Sequence, residues 1–266
     1  VVFPYAQYGC GSAFLEQVVT NGRADYHSLQ MRAQRRLSDG LAYTVAYTYS
    51  KALGDFLDHL SAGGGASGNF PQNTYDMAND YGPLPFDIRH RLVTSFVYEL
   101  PWGRGRASQP EGVLGAIVSD WAVNGILTLN SGRPFTIGAS NRTGTGPGSS
   151  FRADCVGDPL PDGFNQTRDT WFDVNAFAQP GSFLFGNCGY NTMRGPSFKT
   201  MNFSVFRSFP ISDARRVELR LETFNLFNWT NFGFPGSSVA NLNTFGVISS
   251  SLRDPREMQL AVKFYF

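Results

Sequence analysis

Apolar and polar residues alternate along seven stretches of this chain, and this period of two is the feature that most limits its fold. In the run 41–49, leucine, tyrosine and valine occupy the odd positions, while alanine and threonine occupy the even ones. Because successive side chains of a strand point to opposite faces, the run predicts a strand with one apolar and one polar face. The same pattern predicts six further strands, at 29–34, 87–100, 121–130, 200–208, 216–227 and 256–266.

Most of these stretches are long for strands, since they span about 9 to 14 residues where about five or six are usual. At roughly 3.3 Å per residue, about eleven residues tilted by about 45° rise about 25 Å, the height of the apolar band of a membrane barrel. The composition agrees, because only 16% of the residues are charged while 15% are aromatic. There is no apolar run of about 18 residues, so the sequence predicts no transmembrane helix. A soluble β-sandwich also alternates and remains an alternative at this point.

Charged residues lie on the polar side of several predicted strands. Such a row suits the lumen of a membrane barrel, although the solvent-facing side of a sandwich would also accept it. We assign five residues to a lumen-facing charged row: Arg32, Arg89, Arg91, Arg220 and Glu222. On the other side we expect lipid-facing or interfacial rings: Tyr43, Tyr47, Tyr49, Phe96, Tyr98 and Trp121.

The connections between the predicted strands differ in length in a regular way. Short turns fall near 37–40, where Asp39-Gly40 predicts a hairpin, and near 209–214, and a middle-length link spans 101–119. If the C-terminus is periplasmic, seven strands place these three on the inside and every long loop outside. The long loops lie near 52–86, 131–198 and 228–255, and their Gly, Asn, Pro and Ser content predicts exposed, mobile segments. A further full strand at 244–251 would break this parity.

The chain has three cysteines, Cys10, Cys155 and Cys188. The last two lie in one loop rich in Gly, Pro and Asn, where an oxidising compartment would allow a disulfide between them. The alternative is two free thiols. Cys10 is the odd cysteine, and a partner for it would lie in the missing part of the protein.

The chain ends on Phe266, and apolar residues occupy alternate positions before it, at Met258, Leu260, Val262 and Phe264. This end resembles the terminal signal of outer-membrane barrels that the barrel-assembly machinery recognises. The physical reason is that a last strand must offer a lipid-facing row and a pairing edge. The alternative is the edge strand of a soluble sheet.

Segments spread over nearly the whole chain resemble the Oar-like TonB-dependent outer-membrane receptors. The resemblance rests on the order and spacing of the motifs, because each is weak alone. The segments are Tyr26-His-Ser-Leu-Gln30, Tyr47-Thr-Tyr-Ser-Lys51, Phe86-Asp-Ile-Arg-His-Arg91, Asn130-Ser-Gly-Arg-Pro-Phe135, Phe224-Asn-Leu-Phe-Asn228, Thr230-Asn-Phe232 and Arg253-Asp-Pro-Arg256.

The resemblance implies an all-β, antiparallel transmembrane barrel of about 22 strands, of which this chain would supply about seven as an open, curved sheet with long extracellular loops. Residues 1–25 would be the remnant of an extracellular loop, and residues 26–266 the C-terminal strands and loops. The plug and the N-terminal domains would lie outside this chain. With two unpaired sheet edges, the chain alone is not expected to form a stable barrel.

The family also implies a function, which is energy-coupled uptake of an unknown small-molecule or peptide ligand. The partners would be outer-membrane lipid, the barrel-assembly machinery and, through the missing N-terminal part, the TonB complex. The location implied is the outer membrane of a Gram-negative cell. The alternatives are a surface or adhesion protein without transport and a soluble β-rich carbohydrate-binding domain.

The sequence offers no pattern for catalysis, for a cofactor or for a metal. His27, His59 and His90 are far apart, and Asp154, Asp158 and Asp162 lack the order of a calcium loop, so a solvated acidic loop is expected there. No nucleophile stands beside a base in a known motif, so we predict that the chain is not an enzyme. The net charge of +1 argues against a nucleic-acid partner, because polyanion binders usually carry a basic face.

Overall fold

The computed structural model describes residues 22–55, 71–73, 75–103, 106–144, 151–212 and 215–266. Within these ranges seven long strands form one antiparallel sheet, in which each strand pairs with the one before and after it along the chain. The predicted all-β antiparallel fold is therefore confirmed. The long strands are β1 (Ala24–Ser38), β2 (Leu41–Gly54), β4 (His90–Glu99), β5 (Trp121–Asn130), β10 (Phe198–Ser212), β11 (Arg215–Phe224) and β12 (Glu257–Tyr265).

Short elements lie between the long strands. A two-residue strand, β3 (Gly82–Pro83), extends the pairing of β2, and two small ladders join β6 (Pro134–Phe135) to β9 (Met193–Arg194) and β7 (Asp154–Cys155) to β8 (Phe177–Ala178). One α-helix, α1 (Gly112–Val118), lies in the link between β4 and β5. In the described part of the chain, no helix has both the length and the apolarity to cross a bilayer. Two 3₁₀ turns occupy Met77–Asp80 and Val174–Ala176.

The strand register places the alternating residues on two consistent faces. Tyr47 stands opposite Met31 on one side and Leu92 on the other, and Leu219 stands between Arg207 and Val262. We call the face that carries these residues the apolar face and the other the polar face. All six predicted lipid-facing rings lie on the apolar face: Tyr43, Tyr47, Tyr49, Phe96, Tyr98 and Trp121.

The apolar face remains open along the sheet. Leu260 is 71% exposed, Val262 67% and Leu29 57%, so no second sheet covers these residues within the described ranges. In a soluble sandwich the same side chains would converge in a dry interior. The structure therefore excludes the sandwich.

Most strand boundaries differ from those that alternation predicted, and β1 and β2, for example, extend beyond 29–34 and 41–49. The third strand begins at His90 and not at residue 87, because Asp87 is buried in loop contacts. The sixth strand ends at Phe224 and not at residue 227, because Asn225 has a φ of 50° and turns the chain. The fifth strand reaches Ser212, so the turn before β11 is shorter than predicted.

The hairpin between β1 and β2 has the predicted tight turn. β1 ends at Ser38 and β2 begins at Leu41, with φ of 52° at Asp39 and 77° at Gly40. Both central residues have a left-handed backbone conformation, as in the two-residue type I′ turn, whose twist matches that of paired strands. A Cβ at position 40 would also lie 2.8 Å from the Glu99 carbonyl oxygen, so glycine is required by space as well.

The three long connections leave the sheet at the same end, because the strands alternate in direction in chain order. The segment 244–251 forms isolated bridges and turns and is not a strand of the sheet, so the parity holds. We call the described residues of 71–89, 131–197 and 225–256 the loop head. β1 begins at this end of the sheet, at Ala24.

The loop head has a hydrophobic core of its own. Ile137, Ala153 and Phe172 are almost completely buried, and Val239 and Phe245 reach the same cluster from the third loop. Edge-to-face rings hold it together, with 5.1 Å between the centroids of Phe172 and Phe245. The expectation that the long loops are exposed is therefore wrong for these core residues, although it holds for others such as Phe183, which is 79% exposed. Two glycine-rich stretches of these loops, 61–68 and 145–149, lie outside the described residues.

Candidate functional site

The first anchor of the loop head is the carboxylate of Asp87, which is only 1% exposed. It accepts a hydrogen bond from the backbone N–H of Ala52 in β2 (2.7 Å) and another from Nε of Arg89 (3.1 Å). Arg194 from the second loop also pairs with it and donates from Nη1 to the Gly132 carbonyl (3.0 Å). One buried charge thus joins the sheet, the first loop and both ends of the second loop.

The second anchor is Arg152, whose side chain is 1% exposed. Its guanidinium pairs with Asp80 of the first loop and donates from Nε to the Cys188 carbonyl (2.8 Å). Its backbone N–H donates to the side chain of Gln72 (2.7 Å). A buried charge is tolerated only when it is paired and hydrogen-bonded in this way. Arg152 therefore fixes the first and second loops to each other.

Cys155 and Cys188 form a disulfide, with 5.0 Å between their Cα atoms. Of the two alternatives that the sequence left open, the structure has the bridge. Asn187 supports it, because its side-chain oxygen accepts from the Cys155 N–H (2.7 Å). Cys10 lies outside the described residues.

Two asparagines of the third loop imitate strand pairing: Asn231 ties the loop to the sheet, and Asn225 closes a turn within the loop. The side chain of Asn231 accepts from the Lys199 N–H (2.7 Å) and donates to the Lys199 carbonyl (2.8 Å). Asn225 does the same with both backbone groups of Trp229 (3.0 and 2.9 Å). These contacts explain why asparagine recurs in the segments 224–228 and 230–232.

At each end of the sheet, a side-chain hydrogen bond joins the segment between two strands to the sheet. The hydroxyl of Tyr81 donates to the Asp25 carboxylate (2.6 Å), and this bond raises the pKa of Tyr81 above its usual value. At the opposite end Arg106 pairs with Glu99, which raises the pKa of the guanidinium further. Both groups keep their ordinary protonation state at neutral pH.

Four of the five residues of the predicted charged row lie on the polar face, in two separate groups. Arg32 pairs in register with Ala46, and Arg91 with Thr48, so both lie on the polar face at the β1 side of the sheet. Arg220 lies on the same face near the other edge, where it bonds Glu218 (3.0 Å) and Glu222 (3.3 Å). Arg89 precedes β4 and is bound to Asp87, so it belongs to the loop anchor.

The predicted assembly-signal residues all lie open on the last strand. Met258, Leu260, Val262 and Phe264 share the apolar face of β12, and Phe266 follows it at 94% exposure. The rings of Phe264 and Phe266 stack with 5.9 Å between centroids. The row is therefore continuous with the apolar face of the neighbouring strands.

The acidic and imidazole groups do not come together. Among the described residues, no three His, Cys, Asp or Glu side chains converge as metal ligands would. Asp154 and Asp158 instead accept backbone N–H bonds within their own loop (3.1 and 2.9 Å). His90 contacts the Tyr47 hydroxyl through Nδ1 (2.8 Å) on the apolar face, and His59 lies outside the described residues.

Two adjoining clefts lie where the loops leave the sheet. The first, of about 450 Å³, has an apolar wall that includes Phe198, Phe232 and Phe234 and carries Arg133 and Arg253. The second, of about 260 Å³, shares Phe198 and Arg253 and continues onto the polar face. Its other polar groups are Thr200, Asn202, Asn225, Asn231, Asp254 and Glu257.

Sequence reasoning missed the residues that shape this site, chiefly Asp80, Asp87, Arg152 and Arg194. Asp87 lies in the segment 86–91, one of those that resemble the receptor family, and this resemblance was the only signal in the sequence that pointed to any of the four. The partners of Asp80 and Asp87 lie 72 and 107 positions away, and no periodicity connects residues at that separation. Only the folded loops bring them together.

A long antiparallel sheet with one open apolar face, a polar opposite face and folded loops at one end is the wall of a membrane β-barrel. A family model described as an outer membrane beta barrel domain matches residues 3–259. The chain belongs to this family, and it is an outer-membrane protein. No curated protein and no solved structure matches the chain.

Proposed function

We propose that this chain forms part of the wall and the extracellular loop head of a TonB-dependent receptor of the Oar-like kind, which takes up a ligand across the outer membrane. The observation that carries the proposal is the loop head itself. The second and third loops share one dry core, and two ion pairs to the buried carboxylates of Asp80 and Asp87 tie the first loop to the second at the same end of the wall. A rigid head of this kind offers a preorganised surface to a ligand from outside.

The polar face supports a passage beneath that head. Its charges are held in place, since Arg220 bonds two glutamates and Gln259 bonds Glu222. The second cleft leads from the head onto this face past Thr200 and Asn202. In this proposal the polar face surrounds the lumen, and a plug and TonB-contacting segment complete the receptor. No catalytic step is assigned to the chain.

The proposal also fixes how the remaining wall must be built. An antiparallel sheet of seven strands has two edge strands, β1 and β12, that run in the same direction. Closure by antiparallel pairing alone then needs an odd number of further strands. A barrel of about 22 strands meets this condition.

The test compares three strains of the source organism: wild type, a deletion of this gene, and a deletion of the TonB energy-coupling protein. Compounds remaining in a defined mixed medium are measured over growth by mass spectrometry. The proposal expects at least one compound whose depletion is lost in both deletions and returns when the gene is restored. Depletion that is lost without this gene but unaffected by loss of TonB would contradict energy coupling.

A second candidate function is adhesion, and one observation favours it. Phe183, Leu184 and Phe185 are consecutive apolar residues on the head, and the first two are 79% and 61% exposed. An exposed apolar group of this kind marks a contact surface in other proteins. Unchanged depletion of every compound, together with reduced cell–cell contact in the gene deletion, would favour adhesion over uptake.

The soluble carbohydrate-binding alternative is not retained. It requires the apolar rows to meet in a dry interior, and they lie open on the sheet. The family assignment to an outer-membrane barrel excludes it independently.

A further inference from the structure

The first cleft is placed where all three loops leave the wall. Ile88 comes from the first loop, Arg133 and Pro196 from the second, and Phe234 and Arg253 from the third. Its volume of about 450 Å³ lies within the usual range for small-molecule sites, roughly 300–1,000 Å³. A ligand held here would contact every loop of the head at once.

The charges that line this cleft are all positive. Arg133 and Arg253 are its only ionisable residues, and within the described ranges neither has a carboxylate at ion-pair distance. Arg133 donates from Nε to the Pro85 carbonyl (3.1 Å), and Arg253 lies 6.0 Å from the centroid of the Phe198 ring. Arginine binds carboxylates through two parallel N–H bonds, so the cleft is complementary to a carboxylate.

The walls of the cleft are apolar. Phe198, Phe232, Phe234 and Leu252 line it, and Phe234 and Leu252 are 43% and 61% exposed. Exposed apolar surface next to two guanidinium groups favours a ligand that has an apolar body and one anionic end.

One polar atom of the cleft lacks a partner. The side-chain oxygen of Asn130 is buried and accepts no hydrogen bond from a described residue. Buried polar atoms are nearly always satisfied in folded proteins, so a donor is expected from outside the described residues. A hydroxyl or N–H group on the ligand body would supply it.

We infer that this cleft, the Arg133–Arg253 cleft, binds a small organic carboxylate with an apolar, preferably aromatic, body. The inference rests on the proposed uptake role only in treating that compound as the transported ligand. Arg253 is shared with the second cleft, so it stands at the entrance from the head to the polar face. It is therefore the residue expected to select the charge of the ligand.

The test measures equilibrium binding to the full-length protein in phosphatidylcholine nanodiscs by calorimetry. Three probes share one body and differ in the end group: 4-phenylbutyrate, 4-phenylbutan-1-ol and 4-phenylbutylamine. The acid is expected to bind at least about tenfold more tightly than the alcohol, since a charge-assisted bond is lost. The amine should bind more weakly still.

The variants Arg253→Gln and Arg253→Glu distinguish recognition of the ligand charge from nonspecific apolar binding. The first should reduce acid binding to the level of the alcohol, and the second should favour the amine. Arg142→Gln is the matched control, because it removes the same charge from an exposed head residue outside the cleft. Heat-dependent migration on gels verifies that each variant is folded.

Equal binding of acid and alcohol, an absence of measurable acid binding at its solubility limit, or an equal loss in the Arg142 control would each overturn the inference. Acid binding that appears in detergent and disappears in nanodiscs would assign the cleft to membrane lipid and would also overturn it. These measurements need no uptake. If acid binding holds while depletion is independent of TonB, the transport proposal fails and the binding site stands.

Discussion

At the scale of single residues, buried charges give the loop head its shape. Asp87 receives three donors from three segments, and Arg152 is enclosed by Asp80, Gln72 and the Cys188 carbonyl. Such pairs contribute little net stability compared with an apolar replacement, but removal of one partner leaves a buried charge without compensation. The residues therefore specify one arrangement of the loops more than they add to its free energy.

The substitution Asp87→Asn tests this role. It leaves Arg89 and Arg194, whose side chains are 31% and 30% exposed, without this countercharge, and we expect the free energy of unfolding of the head to fall by roughly 1.5–3 kcal/mol. Denaturant titration followed by limited proteolysis of the head measures the change.

The matched control is Asp39→Asn. Asp39 pairs with Arg35 on the surface, where the carboxylate side chain is 88% exposed, and such pairs contribute at most about 1 kcal/mol. If both substitutions have the same small effect, Asp87 is not an anchor.

At the scale of elements, the loop head has a hydrophobic core separate from the strands that carry it. The core of the head contains residues from the second and third loops and none from the long strands. The strands are held instead by the hydrogen bonds between neighbouring strands and by contacts between the apolar face and lipid. The two parts should therefore respond to different perturbations.

The double substitution Cys155→Ser/Cys188→Ser should loosen the head alone. The bridge spans 33 positions, and the loss of a loop closure of that length is expected to cost about 3–4 kcal/mol. Cleavage within 151–197 by an added protease should become faster, while heat-dependent gel migration of the barrel stays unchanged. Loss of both properties together would show that head and wall are one unit.

We expect the last strand to determine how much of the protein reaches the outer membrane. Phe266 stands 94% exposed beside Phe264 at the end of the apolar row. We propose that the assembly machinery reads this row, so Phe266→Ala should lower the amount of protein in purified outer membranes severalfold. Leu242→Ala, at an 83% exposed position in the head, is the control and should have no effect. An equal outer-membrane level for both variants would contradict the signal.

At the scale of the whole molecule, the decisive property is the direction of the two faces. The apolar face is open and meets lipid, and in our proposal the polar face meets the lumen. Adjacent residues of β5 allow a direct comparison, because Leu127 lies on the apolar face and Ile126 on the polar face.

Arginine at these two neighbouring positions should have opposite consequences. Leu127→Arg places a charge in lipid near mid-strand and is expected to cost about 2–4 kcal/mol. Ile126→Arg, at a side chain that is 50% exposed on the polar face, should be tolerated. Urea unfolding of the full-length protein in lipid vesicles measures both. If Ile126→Arg proves the more damaging, the face assignment is wrong.

The sequence by itself determined the wall. Alternation needs only neighbouring residues, and it located all seven long strands, their apolar face and the parity of the loops. The strand ends at His90 and Phe224 were less predictable, because Asp87 and Asn225 leave the ladder for contacts and turns that alternation does not contain.

Only the tertiary structure decided the loop head and its cleft. Irregular loops have no period, and the pairs that hold them, such as Arg152 with Asp80, join residues of different loops. Burial of those charges follows from the packing of the second and third loops around Phe172 and Ile137 and from the first loop that closes on them, so it exists only once the chain has folded. The strands follow from local pattern because a ladder repeats the same contact, whereas the site depends on single long-range contacts that occur once.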